Sequence, residues 1–435
     1  MPVPTRRLAL LAAALSAAVL VVPLGLPSAL LVVDGLLLLV AAVDWRLAPS
    51  PSSLGVDRQL PAVLPLGGAG AVTWRVQNPG GRAVTVGLAD DLAPSLAAGG
   101  RRAHLVVPAG GSASAGTTIR PTRRGRFEPS GVTLRVEGPL GLVARQATVS
   151  LPAVLRVHPR YRSREQAELR IERARILEIG LRSAKGRGSG TEFEALRDYS
   201  VDDETRRIDW SATARTGRPI VRTYRSERNQ TVLCLLDLGR TMAARVEDVP
   251  RVEHAMDAVM MLTHVAGRLG DRVGLLAFDA AVRAVVPPRG GPHQLRRVTE
   301  AMYDLEPVLV ESDHRLAYGT ALGRFRRRSL VVLSTELAEQ ALDETLLPAL
   351  PLLLRDHLVV IASVVDPAVA RWAAASPEDA GDAYRRAAAI TALEERRRVV
   401  ARLRGMGATV VDAAPGDLAP RLTDTYLKVK ATGRL

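Results

Sequence analysis

The stretch that decides the fold is residues 186–241, which read GRGSGTEFEALRDYSVDDETRRIDWSATARTGRPIVRTYRSERNQTVLCLLDLGRT. Near its end, residues 231–236 form an apolar run of strand length that leads into Asp237. From there to the C-terminus, apolar runs alternate with helical patterns, which is typical of a parallel sheet covered by helices on both faces. Ligands of such sheets bind outside the carboxyl ends of the strands, so Asp237 marks a candidate site.

The spacing of apolar residues predicts individual elements on both sides of this stretch. Upstream, short strands separated by glycine and proline indicate a small β-sandwich, and an amphipathic helix follows it over residues 164–181. The predicted strands of the sandwich are 71–76, 83–86, 104–107, 132–136 and 154–157. The predicted downstream strands are 231–236, 273–278, 282–286, 330–334, 358–365 and 409–411, and the predicted helices are 252–269, 294–303, 316–325 and 394–404.

Residues 8–43 contain one ionisable side chain, Asp34, and a proline- and glycine-containing turn at residues 23–27 divides this apolar run into two halves. Each half is nearly long enough to span a membrane, which predicts a transmembrane helical hairpin over residues 1–46 in the lipid bilayer. Arginines flank both ends and none lies in the turn, so we expect a two-helix protein of the cell membrane with the bulk of the chain in the cytoplasm. A cleaved signal peptide is the alternative for the first half. For Asp34, an intramembrane partner and a position near the headgroups both stay open.

Composition narrows the class of partner. The 435 residues carry a formal net charge of +14, which would suit nucleic acid or an anionic membrane surface. Aromatic residues make up 3% of the chain, too few to stack bases, and no nucleic-acid-binding motif accompanies the charge, so we expect no nucleic acid partner. The single cysteine, Cys234, lies within the first apolar run and is expected to pack as a small hydrophobic residue.

Residues 192–222 alternate charged and apolar side chains. Because arginine pairs bidentately with carboxylates, such a set can hold an extended segment rigidly against the following domain. The alternative is a docking surface for a partner protein, since aromatic residues and arginine are typical interface anchors. The residues assigned to this interaction or structural motif are Glu192, Phe193, Leu196, Arg197, Tyr199, Arg207, Asp209, Trp210 and Arg215.

This motif and the strand that ends at Asp237 resemble the domain-of-unknown-function 58 family, with the resemblance extending from Arg182 to the C-terminus. It implies a membrane-associated protein with a von Willebrand factor A-like domain, which has a Rossmann-like α/β fold. Where family members often have a Gly-Asp pair, this chain has Asp202-Asp203, so the turn there is expected to differ.

The resemblance also implies a metal site. In von Willebrand A domains the position of Asp237 opens a D-x-S-x-S motif that helps to hold Mg²⁺, an ion that requires hard oxygen ligands in a near-octahedral array. Here Thr241 is present, but Gly239 replaces the first hydroxyl residue. Ser312 is the candidate for the hydroxyl of the second loop, with Thr320 as the alternative.

The third loop reads Ser334-Thr335-Glu336, where a Ser-Asp pair is usual. The expected metal site is therefore a degenerate one formed by Asp237, Thr241 and Ser312. We expect no cofactor, with Mg²⁺ as the alternative, and we expect Asp237 to cap the following helix.

Nothing in the sequence favours an enzyme. The histidines lack the spacing of a metalloprotease motif, and Ser211 lacks the glycines of a nucleophile elbow. The glycine-rich residues 186–190 have no preceding strand and no Gly-Lys-Ser/Thr ending, so a linker is favoured over a phosphate-binding loop.

The family resemblance implies a working partner, because related proteins are commonly encoded beside MoxR-type AAA+ ATPases and are thought to act with them in protein assembly or maturation. We therefore expect a membrane-anchored, non-enzymatic interaction or scaffold protein. The alternatives are a Mg²⁺-dependent ligand-binding module and a hydrolase of unknown substrate.

The predicted fold class is multi-domain, with a transmembrane hairpin, a small β-sandwich and a von Willebrand A-like α/β domain. The predicted segments are 1–46 for the hairpin, 54–159 for the sandwich, 160–230 for a linker helix and the motif, and 231–435 for the α/β domain.

Overall fold

The chain divides into two compact units, Met1–His158 and Pro159–Leu435. The computed structural model describes residues 1–21, 26–184, 192–201, 203, 205–225, 230–338 and 345–432. The predicted division into four segments stays a prediction.

The first unit is rich in strands. Its helices are α1 (Arg6–Val21) and α2 (Leu26–Leu47). Its strands are β1 (Pro2–Pro4), β2 (Gly55–Gln59), β3 (Val63–Pro65), β4 (Gly70–Gln77), β5 (Val84–Asp90), β6 (Arg102–Val107), β7 (Ser112–Ile119), β8 (Gly125–Phe127), β9 (Gly131–Glu137), β10 (Val143–Ser150) and β11 (Leu155–His158).

The strands of this unit form three sheets, with the orders β1-β10-β9-β5-β6, β2-β4-β7 and β3-β11-β8. One apolar cluster, which includes Trp74, Val86, Leu134 and Leu155, forms its core. Alternate residues of each strand point to this core, so the short alternating runs of the sequence become strands. All five strands predicted here are present.

The predicted transmembrane hairpin is wrong, and with it the predicted membrane location and the fold class as stated. Within the described ranges, the structure contains no helix that combines the length and the apolar character needed to cross a membrane. Helix α1 has 16 residues, which rise about 24 Å, less than the hydrocarbon core of about 30 Å. Helix α2 carries Asp34, which is exposed, and its end belongs to the strand-rich unit. There the buried Asp44 carboxylate accepts hydrogen bonds from the backbone amides of residues 140, 142 and 143.

The second unit has an α/β core preceded by a small hairpin. Its helices are α3 (Arg164–Ala184), α4 (Trp210–Thr216), α5 (Arg240–Ala243), α6 (Arg251–Arg268), α7 (Gln294–Met302), α8 (His314–Arg324), α9 (Leu347–Leu354), α10 (Pro367–Ala374), α11 (Ala380–Gly405) and α12 (Leu418–Ala431). Its strands are β12 (Glu192–Asp198), β13 (Ile220–Arg225), β14 (Thr231–Asp237), β15 (Arg245–Val246), β16 (Val249–Pro250), β17 (Arg272–Phe278), β18 (Val282–Arg289), β19 (Leu330–Ser334), β20 (Leu358–Val364) and β21 (Thr409–Ala413).

Six strands form one sheet in the order β18-β17-β14-β19-β20-β21. All neighbours in it run parallel except β17 and β18, which form an antiparallel hairpin. Successive residues of β14 enter different cores: Val232 and Cys234 face the cluster that includes α6 and α12, and Leu233 and Leu235 face the cluster that includes α8, α9 and α11. A strand buried on both faces is apolar throughout, which is why the run before Asp237 lacks polar alternation.

All six strands and all four helices predicted downstream of residue 230 have counterparts in the structure. The predicted helix 394–404 is the end of the longer α11, whose first half is mostly exposed. Helices α9, α10 and α12 were not predicted.

Candidate functional site

The site is built at the carboxyl end of β14, where the sheet order places β17 on one side and β19 on the other. Asp237 is 1% exposed. Its Oδ1 accepts a hydrogen bond from the backbone amide of Gly239 at 2.8 Å and another from the Ser312 hydroxyl, and its Oδ2 accepts one from Thr335 Oγ1 at 2.6 Å. We call these four residues the Asp237 cluster. Gly239 is the N-cap residue of α5, and the amide that Asp237 binds precedes the helix, so Asp237 is not the helix cap that the sequence predicted.

Gly239 and Ser312 fit each other. A Cβ placed on Gly239 would lie 2.1 Å from Ser312 Oγ, closer than any real contact. The φ angle of Gly239 is −72°, so its backbone does not require glycine. The space that a serine side chain would need in a D-x-S-x-S motif is therefore filled by the hydroxyl of Ser312, which reaches Asp237 because position 239 has no side chain.

The other predicted hydroxyls have different positions. Thr241 lines the small cavity at Asp237. Thr320 donates its hydroxyl to the backbone carbonyl of Leu316 at 2.8 Å, within α8. Asp237, Thr241 and Ser312 thus line one cavity. The alternative residue, Thr320, instead donates its hydroxyl to the backbone of its own helix.

Glu336, the acid of the third loop, is held by two arginines. Its Oε1 lies 2.6 Å from Arg396 and its Oε2 lies 3.0 Å from Arg251. Arg396 also binds Asp412 through two hydrogen bonds of 2.8 and 2.7 Å. Partial burial opposes the charge of Arg396, but these carboxylates outweigh it and raise its pKa. The carboxylate of Glu336 is already neutralised, which leaves it a poor extra ligand for a cation at Asp237.

Sequence reasoning missed His314, the first residue of α8, because the histidines of this chain match no spaced metal motif. Its ring is 4% exposed and packs edge-to-face against Phe278 and Tyr318, with centroid distances of 5.4 and 5.9 Å. Its Nδ1 lies 3.0 Å from Thr345 Oγ1, and its Nε2 lies 4.0 Å from Asp237 Oδ2. Burial lowers the pKa of His314, which favours the neutral imidazole. The sequence feature that could have indicated His314 is its position two residues after the candidate Ser312.

These residues do not fit Mg²⁺. An octahedral Mg²⁺ site needs six oxygen ligands. Asp237 supplies a carboxylate, but Gly239 supplies no hydroxyl, and Glu336, the acid of the third loop, is paired with two arginines. Within the described ranges, no group of three or more histidine, cysteine, aspartate or glutamate side chains could hold a metal ion.

The motif residues form a second set, which lies on β12, on α4 and between these two elements. Asp209 caps α4 by accepting hydrogen bonds from the backbone amides of Ser211 and Ala212, both at 3.0 Å, and it pairs with Arg222 at 2.8 Å. The hydrogen bond from Arg222 lowers the pKa of Asp209. Arg197 of β12 pairs with Asp203, which lies beyond the end of that strand. The backbone amide of Tyr199 donates to the carbonyl of residue 219 at 2.9 Å.

Several motif side chains point to solvent. Trp210 is 70% exposed, although it begins a helix whose cap is fixed by Asp209. We call the exposed set Leu196, Val201, Trp210 and Arg215 the motif surface. The side chains of Glu192, Phe193 and Arg207 lie outside the described part of the structure, as do Asp202 and the glycine-rich residues 186–190.

Among the residues that the structure describes, we find no activating partner for the candidate nucleophiles Cys234 and Ser211. Cys234 is fully buried, and burial raises the pKa of its thiol to about 12. Ser211 is exposed, and the nearby carboxylate of Asp209 is bound by Arg222 and by two backbone amides. A carboxylate committed in this way is a weak general base.

Three comparisons place the chain among known proteins. Over 152 residues it is 28% identical to the uncharacterized protein Rv1480 of Mycobacterium tuberculosis and to the uncharacterized protein Mb1516 of Mycobacterium bovis, with 34% of this chain and 48% of each relative covered. The chain thus spans about half the length of the curated relatives it matches. The crystal structure of the conserved hypothetical protein BatB from Bacteroides thetaiotaomicron aligns at 11% identity, with 47% of this chain and 100% of that chain covered. Its TM-score of 0.29 supports no conclusion about the fold. Residues 195–378 of this chain match the family described as "Protein of unknown function DUF58".

Proposed function

We propose that this protein is a non-enzymatic interaction module that binds a partner protein through the motif surface. The partner class indicated by the family resemblance is a MoxR-type AAA+ ATPase, with assembly or maturation of other proteins as the shared task. The observation that carries the proposal is the exposure of Trp210 in a rigidly capped helix.

An exposed tryptophan is an effective anchor for binding. Tryptophan is enriched among the residues that dominate binding energy, and truncation of such a residue typically costs about 2 kcal/mol or more. Asp209 and its pairing with Arg222 fix the start of the helix that carries Trp210. Binding therefore orders little of the backbone here, which lowers the entropic cost of association.

The ion pairs of the motif also support an interface. Arg197 binds Asp203 and Arg222 binds Asp209, so these arginines pair with acids of the motif itself. These pairs neutralise charges of the motif, while an apolar side chain of the hairpin, Leu196, is exposed.

The test is the affinity of the intact chain for the purified MoxR-type ATPase of the same genome, measured by biolayer interferometry with and without ATP. Trp210→Ala should weaken binding by at least about 30-fold, which corresponds to the 2 kcal/mol of a typical anchor. Trp372→Ala is the matched control, because Trp372 is 45% exposed on α10, outside the motif. Equal affinity of the two variants, or no binding by the unaltered chain, would rule out the proposal.

A further inference from the structure

A cavity of about 550 Å³ lies at the carboxyl ends of the parallel strands β19 and β20. Its wall on the sheet side includes Leu337 and Val365, which come after these two strands along the chain, and its wall on the helix side includes Val369 of α10 and Leu393 of α11. Ligand-binding cavities typically measure about 300 to 1,000 Å³, and ligands of parallel sheets bind at this edge. The cavity therefore has the size and the location of a ligand site, and Asp237 does not line it.

The wall residues give the cavity an apolar interior. Leu337 is 3% exposed, and Val365, Val369 and Leu393 are half-buried. A ligand with an apolar body would remove the surface of these side chains from water, which favours binding. The walls thus select an apolar body, and the charged side chains of the lining decide which charge the ligand carries.

The two arginines that line the cavity are matched by carboxylates. Arg251 Nε lies 3.0 Å from Glu336 Oε2, and Arg396 Nη1 lies 2.6 Å from Glu336 Oε1. Arg396 also contacts Asp412 at 2.7 Å and donates a hydrogen bond to Ser363 Oγ at 2.8 Å. Two guanidinium groups therefore face two carboxylates, and these four charged side chains together add no net charge to the cavity.

Two further carboxylates of the lining, Asp366 and Glu395, have no cationic partner among the described residues. Asp366 caps α10 by accepting a hydrogen bond from the backbone amide of Ala368 at 2.8 Å, and that donor is neutral. Both carboxylates are half-buried, so they attract a cation more strongly than fully solvated groups do. The lining thus carries an excess of negative charge, although the whole chain has a net charge of +14.

We propose that this cavity binds a small organic amine, whose ammonium group contacts Glu395 and Asp366 and whose aliphatic body packs against Leu337, Val369 and Leu393. An ammonium group has three donors, and the carboxylate oxygens of this lining have lone pairs left to accept them. This inference does not depend on the motif surface, so either proposal can fail without the other.

The experiment titrates the full chain at pH 7 with three probes of nearly equal size, hexylamine, hexan-1-ol and hexanoate, and measures their dissociation constants by isothermal calorimetry. We expect one hexylamine per chain, with hexan-1-ol at least about fivefold weaker and hexanoate the weakest. Nonspecific attraction to a chain with a net charge of +14 would give the opposite order, since it favours the anion.

Three variants locate the site. Glu395→Gln should weaken hexylamine binding by at least about fivefold and leave hexan-1-ol unchanged, because the amide keeps the size of the side chain and removes its charge. Glu394→Gln is the matched control, since Glu394 is the adjacent, exposed residue of α11 and does not line the cavity. Leu393→Ala should weaken both probes because it removes part of the apolar wall. The proposal is overturned if hexylamine does not bind, if hexanoate binds as tightly as hexylamine, if Glu395→Gln and Glu394→Gln bind hexylamine equally, or if Leu393→Ala binds both probes like the unaltered chain.

Discussion

Asp237 and Asp209 occupy similar local positions, yet the surroundings of the two carboxylates differ. Asp209 caps α4 by accepting hydrogen bonds from two backbone amides of its first turn, and Asp237 accepts one from the amide of Gly239, the N-cap residue of α5. Asp209 also binds the guanidinium of Arg222, which compensates its charge. Asp237 binds the neutral hydroxyls of Ser312 and Thr335 at the edge of a buried sheet.

The difference separates a carboxylate that an arginine compensates from one that neutral groups bind. The cap at Asp209 is complete, and it supports the exposed Trp210 beside it. The carboxylate at Asp237 accepts hydrogen bonds at both oxygens, and Nε2 of the buried His314 lies 4.0 Å from its Oδ2. The first region therefore presents an exposed aromatic side chain, and the second is a buried polar cluster at the end of the sheet.

The largest effect should come from removing the buried carboxylate. Asp237→Ala leaves one amide and two hydroxyls without an acceptor, so the free energy of unfolding should fall by about 3 kcal/mol or more, since each unsatisfied buried group costs about 1 to 3 kcal/mol. Urea denaturation followed by circular dichroism measures this change. As the control, Asp198→Ala removes an exposed carboxylate and should change the free energy of unfolding by less than about 0.5 kcal/mol. Similar losses for the two variants would contradict the buried role of Asp237.

The next largest loss of stability should come from adding a side chain at Gly239, where Ser312 fills the space. Gly239→Ala places a methyl group against Ser312 Oγ and should lower the free energy of unfolding by about 1 to 3 kcal/mol, the usual cost of overpacking. Adding Ser312→Ala to Gly239→Ala should recover part of that loss because the clash disappears, and a double-mutant cycle measures the coupling. Gly267→Ala is the control, since a Cβ there meets no neighbour within 4 Å. Strict additivity of the two changes would show that the side chains do not compete for space.

A smaller, pH-dependent effect is expected at Asp209. The pKa of this carboxyl is lowered by Arg222 from its ordinary value of 3.8. A lowered pKa stabilises the folded state above that ordinary value, and the contribution is lost as the pH falls through the folded-state pKa. Asp209→Asn should therefore be less stable than the unaltered chain at pH 7, and the gap should narrow as the pH falls below 3.8. Urea denaturation at several pH values checks this, and a gap that is constant with pH would exclude the ion pair as its source.

The smallest effect on stability should come from the motif surface. Because Trp210 is 70% exposed, Trp210→Ala should change the free energy of unfolding by less than about 0.5 kcal/mol, as for most surface substitutions. Thermal unfolding by calorimetry measures this change. A large loss would mean that the indole packs within the protein, and the contrast between the two regions would then fail.

Much of the α/β core could be predicted because its strands are apolar throughout and its helices carry apolar stripes. The burial of Cys234 followed from the run that contains it, and it is confirmed. Strand β7 was missed because it reads SASAGTTI, with one fully buried apolar residue, Ile119, and its extended form depends on pairing with β4 over eight positions. Helix α12 was missed because its buried face includes Pro420 and Thr423, which weaken the helical pattern of apolar residues.

At the candidate site, Asp237 could be found from the sequence because it ends a buried strand. The residues that bind Asp237 could not be identified from a local pattern of this kind. Ser312 and Thr335 lie 75 and 98 residues away along the chain, and they meet Asp237 because the sheet order places β19 beside β14 and the loop before α8 crosses the same edge.

By itself the sequence determined the alternation of strands and helices, the apolar face of each element and the aspartate at the end of the first strand of the large sheet, since these depend on residues close together along the chain. Only the tertiary structure decided that Ser312 fills the space left by Gly239, that arginines hold Glu336, that His314 faces Asp237 and that Trp210 points to solvent. Each of these depends on which loops and element faces come into contact in the folded chain. The periodicity of apolar residues within one element does not predict those contacts.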